Sequence, residues 1–338
     1  MWLEDYLQDY KGALLIVSHD RYFLDKLTTS TCEIERGHLK RYKGNYSAYT
    51  IQKEADVTRQ LKEYEAQQAE IAKLQDFVDR NLVRASTSNM AKSRIKKLEA
   101  MEIIEKPVTN EKAAKIKFEY DVVPPIDLLT VKNIDISVGS GADRTTLVDS
   151  VSFEVKRGEK LGIIGSNGIG KSTLLKIIQR KLPCSHGIIE WTKNVKISYF
   201  DQENSQLDFN KTVMDEIHSR YRTMTDQAVR TLLGSVRMVG ENVFKPISVI
   251  SGGERAKLCF AIMMLERGNV LILDEPTNHL DISTKEVLEK ALCEYDGTII
   301  FVSHDRYLLN KLATRIIEIT ENSVQSFNGG FDEYMDVK

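Results

Sequence analysis

The hexapeptide VSHDRY occurs twice, at residues 17–22 and 302–307, and it is the visible part of a longer repeat. Laid on itself at an offset of 285, the chain matches residues 1–49 to residues 286–334 at 19 of 49 positions without a gap. WLEDYLQDYKGALLIVSHDRYFLDKL answers VLEKALCEYDGTIIFVSHDRYLLNKL, and the pairs Gly44/Gly329 and Tyr49/Tyr334 keep the register. That period lies far beyond the roughly 20–50 residues of solenoid repeats. Any fold for this chain must therefore accommodate the end of one domain twice, with the first copy present only as its C-terminal part.

With 338 residues, 42% of them hydrophobic, the chain can bury a core and hold two domains. The net charge of −2 hides a local imbalance. No acid occurs from Arg80 to Leu98, a stretch that carries Arg80, Arg84, Lys92, Arg94, Lys96 and Lys97. The four cysteines (Cys32, Cys184, Cys259, Cys293) form no CxxC pair, which suggests neither a disulfide framework nor a zinc ribbon and fits a reducing cytosol. The longest strongly apolar run, LCFAIMML, has 8 residues. About 20 are needed to span a bilayer, so no membrane insertion is expected.

Residues 51–106 are rich in Glu, Lys, Gln and Ala and contain no Gly or Pro, which predicts helix. Val57, Leu61, Tyr64, Ile71, Leu74 and Val78 form one apolar stripe, and Ala91, Ile95, Leu98 and Met101 a second after the break RASTSNM. An antiparallel hairpin is expected, its first arm of about 29 residues reaching roughly 43 Å. From residue 118 the pattern changes to short apolar, β-branched runs (LLTVKNIDISV, KLGIIG, VKISYF, VLILDE, TIIFVSH) between helical stretches. This is the pattern of an α/β fold with buried strands, and residues 210–267 read as a helical subdomain attached to the sheet. The domain boundaries read as 1–50, 51–117 and 118–338.

GIIGSNGIGKST places GxxxxGKS between an apolar strand and the helical run TLLKIIQRK. Its glycines permit positive φ and aim backbone N–H groups at an anion that the helix N-terminus also favours. Gly165, Ser166, Asn167, Gly168, Ile169, Gly170, Lys171, Ser172 and Thr173 are the nucleotide-binding candidates. Lys171 neutralises β and γ phosphates in this reading, and Ser172 offers its hydroxyl to Mg2+. NVLILDEPTNHLD sets Asp274 and Glu275 at the end of a buried strand, where ligand crevices of α/β sheets lie. Asp274 is expected to hold the Mg2+ shell, and Glu275 to orient or deprotonate the attacking water. His304 follows a third apolar strand and can donate to a γ-phosphate oxygen. ISGGERAK, Ser251 to Lys257, opens a helix whose N-terminus is a second anion site, with no partner in its own domain.

In their order and spacing, GSNGIGKST, Gln202 in YFDQE, SGGE, LILDEP, NHLD and VSHD resemble an ATP-binding cassette domain. The resemblance implies a P-loop cassette with a mixed sheet and a helical subdomain. It also implies ATP held between two cassettes, with Ser251, Gly252, Gly253 and Glu254 facing the partner's nucleotide, and Gln202 at the Mg2+ and attacking water. DEPTNHLD, SHDRYLL and a charged hairpin between two cassettes resemble the ABC-F subfamily. That implies action on the ribosome in translation or antibiotic resistance, in the cytoplasm. The linker would then enter the exit site and its tip contact P-site tRNA and rRNA near the peptidyl transferase centre. The six cations between Arg80 and Lys97 suit a phosphate backbone and are the RNA-contacting candidates.

The first copy departs from the family pattern. Met1 aligns with Glu286, five residues past Asp281, so His19 has no phosphate loop in its own domain. The chain is read as starting late, through truncation, a split gene or a misassigned start, and closure of the ATP site then needs a missing first cassette or a homodimer. The strand ALLIVSH is expected to be orphaned and residues 1–49 poorly folded alone. No Phe, Tyr or Trp lies between Asp121 and Ser152 to stack adenine, and Arg144 is the substitute considered. Two other classes compete. The soluble ATPase of a membrane importer lacks a use for the basic hairpin, and a DNA-repair or chromosome ATPase calls for zinc modules or a longer coiled coil.

Overall fold

The computed structural model describes residues 2–35, 37–81, 88–107, 114–139, 145–184, 186–203, 205–321 and 323–338. The chain divides into two compact units, residues 1–113 and 114–338. In the first unit, helices α1 (Trp2–Gln8) and α2 (Arg21–Leu27) precede an antiparallel hairpin of β1 (Ser30–Glu35) and β2 (His38–Lys43). Two helices follow, α3 (Tyr46–Asn81) and α4 (Ser88–Glu99).

The second unit opens with β3 (Asp127–Val138), β4 (Thr145–Lys156), β5 (Lys160–Gly165), α5 (Lys171–Ile178), β6 (Ile188–Trp191) and β7 (Ile197–Phe200). Helices α6 (Val213–Arg220) and α7 (Asp226–Ser235), a 3-10 turn at Gly240–Phe244 and α8 (Gly252–Glu266) follow. The chain then runs β8 (Val270–Asp274), α9 (Ile282–Glu294), β9 (Thr298–Val302), α10 (Arg306–Leu312), β10 (Arg315–Ile319), β11 (Val324–Asn328) and α11 (Phe331–Val337). Six strands make one sheet in the order β11-β10-β5-β9-β8-β7, parallel from β10 to β7 with β11 antiparallel. A three-stranded antiparallel sheet, β4-β3-β6, stands beside α5.

The central strands carry apolar residues on both faces because both are covered. Val270 and Ile272 point into one core with α5 and the three-stranded sheet, while Leu271 and Leu273 point into the other with α6 to α10. This second unit begins at Ala114, not at 118. Ala114, Ile116 and Phe118 alternate into the core, and the Lys115 N–H donates to the Ser235 carbonyl at 2.6 Å.

The repeat is a repeat of structure. Asp20 caps α2 as Asp305 caps α10, and each donates its own N–H to the serine two residues earlier at 3.0 Å. Lys26 pairs with Glu4 at 3.1 Å, and Lys311 with Glu289 at 3.4 Å. Ser47 N–H reaches Asp25 at 2.6 Å, as Asp332 N–H reaches Asn310 at 2.7 Å. Tyr42 meets Tyr49 edge-on at 5.0 Å, and Phe327 meets Tyr334 at 5.1 Å. Glu33 is bound by Tyr49 and Lys53, matching Glu318, Tyr334 and Lys338.

One element breaks the correspondence. Residues 298–302 form β9 between β5 and β8, yet the equivalent residues 13–17 form no strand, against the expectation for ALLIVSH. Leu15 is 97% and Val17 94% exposed, where Ile300 and Val302 are 0% and 1% exposed. Caps, ion pairs and aromatic contacts close over short loops and survive in either copy. A parallel strand needs distant neighbours on both sides, and the described residues of the first unit supply none.

The hairpin also differs from the helix expected over 51–106. α3 starts at Tyr46, as the counterpart of α11, and its 36 residues span about 54 Å. Ser88, Asn89 and Met90, read as part of a break, already belong to α4. Residues 101–107 lie outside any helix. The Ile103–Ile104 pair and Pro107 disfavour helix there, and Gln67 substitutes for a strand partner. Its side chain accepts the Ile104 N–H at 2.9 Å and donates to the Glu102 carbonyl at 2.7 Å. Leu74, Val78 and Ala91 are buried, as their stripes predict.

Candidate active site

Parallel strands place their C-terminal ends at one edge of the sheet, and four of the motifs leave from that edge. The phosphate loop follows β5, His304 follows β9, Asp274 and Glu275 end β8, and Gln202 lies exposed in the turn after β7. Residues 102 and 29 positions apart in sequence thereby become neighbours. Ser172 Oγ donates to Asp274 Oδ1 at 3.1 Å, and His304 N–H donates to Glu275 Oε2 at 3.2 Å.

The loop geometry explains its glycines. Gly168 and Gly170 have φ of 81° and 101°, in the left-handed region that only glycine adopts at little cost. A Cβ on Gly170, the N-cap of α5, would lie 2.6 Å from Ile136 Cγ2. Lys171 Nζ donates to the carbonyls of Gly165 and Ser166, both at 2.9 Å, which holds the ammonium over the loop. Burial pulls its pKa down, and the charges of Glu275 and Asp274 oppose that shift.

Both carboxylates are buried. Burial pushes Asp274 up to about 6, against the pull of the Ser172 hydroxyl, and the neighbouring Glu275 charge adds to the rise. Desolvation also raises Glu275, which sits at φ 49°, an uncommon conformation for a residue with a side chain. Its Oε1 makes no hydrogen bond and lies 3.4 Å from His304 Nε2, a contact too poorly aligned to count as one. Partial burial lowers the pKa of His304, and the Lys171 charge lowers it further. A buried carboxylate and a hydroxyl 3.1 Å apart suit a hard, oxygen-seeking divalent cation.

Ser251 caps α8 in a reciprocal box. Its Oγ accepts the Glu254 N–H at 3.3 Å, and Glu254 Oε2 accepts the Ser251 N–H at 2.9 Å. Gly252 and Gly253 leave room for His279, whose carbonyl would meet a Cβ on Gly253 at 3.1 Å. Sequence reasoning passed over Ser303 and Asp305, although the repeated Ser-His-Asp signals a capped helix start in both copies.

The basic stretch is less free than its composition suggests. Arg80 pairs with Asp76 at 2.8 Å, Lys97 with Glu70 at 2.6 Å, and the Arg94 guanidinium lies 3.7 Å from the Phe77 ring centroid. Acids and an aromatic ring outside the stretch thus engage three of the six candidates. Lys92 and Lys96 are exposed one turn apart on α4. Arg84 and Arg144 lie outside the described residues.

A family model described as ABC transporter matches residues 148–278, and a second with the same description matches residues 32–118. The ATP-binding cassette MJ0796, solved as a dimer in a post-hydrolysis state with ADP and Pi, shares the fold at a TM-score of 0.52. It is 21% identical, and the match covers 60% of this chain and 98% of that one. YdiF of Bacillus subtilis (strain 168) is 48% identical over 337 residues, covering 100% of this chain and 52% of the relative. YbiT of Escherichia coli O157:H7 is 36% identical, covering 99% and 63%. ABC transporter F family member 5 of Arabidopsis thaliana is 38% identical, covering 99% and 48%. The chain spans about half to under two thirds of the length of these curated relatives. Matched along all or nearly all of its residues by these proteins, and built on the cassette fold, the chain belongs to the ABC-F group of ATP-binding cassette proteins.

Proposed function

We propose that this chain binds ATP at residues 165–173, hydrolyses it when a second cassette closes the site, and uses the cycle to act on the ribosome. The observation that carries the chemistry is the convergence of Lys171, Ser172, Asp274, Glu275 and His304 on one sheet edge, with Glu275 Oε1 lacking a hydrogen bond. Lys171 and the loop N–H groups bind the β and γ phosphates. Ser172 and Asp274, with Gln202, would hold Mg2+, which supplies charge neutralisation on the phosphate oxygens. Glu275 orients the attacking water and takes its proton as the terminal phosphoryl bond breaks, leaving ADP and phosphate. His304 donates to a γ-phosphate oxygen.

The capped start of α8, Ser251 to Glu254, serves the nucleotide of a partner cassette, either elsewhere in a longer protein or in a second copy. The ribosome reading is supported by the resemblance to ABC-F proteins and by Lys92 and Lys96, exposed on a hairpin whose long arm spans about 54 Å. A cytoplasmic location follows from that partner. Among the described residues no helix is long and apolar enough to cross a membrane.

Sedimentation through sucrose with ATP tests this, using Glu275→Gln, together with the matching change in a second cassette where one is present. The variant should trap ATP and stay with ribosomes, shifting between translation and drug-protection contexts only in which ribosomal state it prefers. Pelleting with membrane vesicles and not ribosomes would instead favour the ATPase of a transporter.

A further inference from the structure

The turn that carries His304 is held from a direction none of the motifs points to. Asp305 Oδ1 accepts the N–H groups of Tyr307 at 3.0 Å and Leu308 at 3.2 Å, and the Asp305 N–H donates to Ser303 Oγ at 3.0 Å. Its second oxygen, Oδ2, lies 3.6 Å from Lys285 Nζ, and the two side chains are only 11% and 15% exposed. Lys285 stands in the first turns of α9, just after its cap Asp281. A cation there opposes the helix dipole and loses hydration, and the pairing with Asp305 offsets part of both costs. The pairing reaches the candidate active site in two steps. Asp305 fixes the backbone of the 303–305 turn, and from that turn His304 donates its N–H to Glu275 Oε2 at 3.2 Å and holds Nε2 3.4 Å from Oε1.

We propose that Lys285 is a positioning residue for ATP hydrolysis: by anchoring Asp305 it fixes both the main chain and the imidazole of His304 against Glu275. This rests on the reading of Glu275 as the group that addresses the attacking water. Lys285 lies outside the phosphate loop, so its loss acts on turnover and leaves nucleotide affinity in place. A purely structural tie between α9 and α10 would act on stability alone.

The test compares Lys285→Met, which keeps the aliphatic stem, with Lys285→Arg, which keeps the charge. Two readouts are taken on the full chain: ATP hydrolysis, and the imidazole carbon–proton NMR signal of His304 without nucleotide, assigned among the six histidines with His304→Gln. Lys285→Met should displace the His304 signal and lower kcat about tenfold with KM for ATP within about twofold, while Lys285→Arg leaves both near wild type. An unmoved His304 signal in Lys285→Met overturns the proposal. So does an equal fall of hydrolysis and thermal midpoint in the Met and Arg variants, the mark of lost packing. Should the wild-type chain bind ATP without hydrolysing it even beside a second cassette, the Glu275 reading fails, and the His304 signal still decides whether Lys285 positions it.

Discussion

Val17 and Val302 occupy the same place in the same hexapeptide, yet truncating them to alanine should have very unequal consequences. Val302 is 1% exposed and pairs with Ile163 of β5 and Asp274 of β8, whereas Val17 is 94% exposed. Removing two buried carbons forfeits about 1.6 kcal/mol of transfer energy, and the residual cavity brings the cost to roughly 2–3 kcal/mol. With an m of about 5 kcal/mol/M, the guanidinium midpoint of the second unit falls by about 0.5 M. At Val17 the change stays within about 0.5 kcal/mol. The two tryptophans, Trp2 and Trp191, lie in different units, so Trp2→Phe and Trp191→Phe backgrounds report each transition separately. A Val17→Ala loss as large as that of Val302→Ala would mean that residues 13–17 are covered in solution, and the account of the broken repeat would be wrong.

Gly170→Ala forces a side chain into left-handed backbone, costing about 1–2 kcal/mol, and against Ile136 as well. Thermal melting with and without ATP should show a lower midpoint and no stabilisation by nucleotide. Asp274 titrates at about 6 in the folded chain against an ordinary 3.8, so its protonated form is favoured by folding. Metal-free stability is therefore greatest below about pH 3.8 with respect to this group and is lost as pH rises through about 6. Asp274→Asn should flatten that part of a stability-against-pH curve, and a wild-type curve that rises across the window would refute the assignment. Replacing Lys92 and Lys96 by glutamate should weaken RNA binding and reduce the salt slope by about 1 per residue, measured by filter binding across ionic strength. Arg94→Ala should in addition lower the melting point of the hairpin, because its guanidinium covers Phe77.

Much of the cassette was legible because its signals are short and local. The loop 165–173 needs its glycines for dihedral reasons that stand in the sequence itself, and the acids at 274–275 follow an apolar, β-branched run that reads as a buried strand. What stayed hidden depends on distant partners. The run ALLIV reads as strand as convincingly as TIIFV, and only the presence of β5 and β8 separates them. Residues 101–107, beyond α4, read as helix in sequence, yet there the Gln67 side chain takes up the Ile104 N–H and the Glu102 carbonyl. The charge-free-of-acids stretch at 80–98 looked open because the acids that engage it, Asp76 and Glu70, lie outside it in sequence and beside it in space. Lys285 carries no motif, and its role depends on where α9 and α10 start relative to one another.

The first turns of α3 bear the same tyrosine, glutamate and lysine contacts that fasten the last helix of the chain. The long arm consequently has no swivel at its root and behaves as a lever cast in one piece with its handle. A tilt of about 5° at the β1–β2 end would sweep the far end of a helix about 54 Å long through about 5 Å, more than the width of a base pair's stacking step. Small motions at the foot thus become displacements on the scale of a nucleotide at the tip.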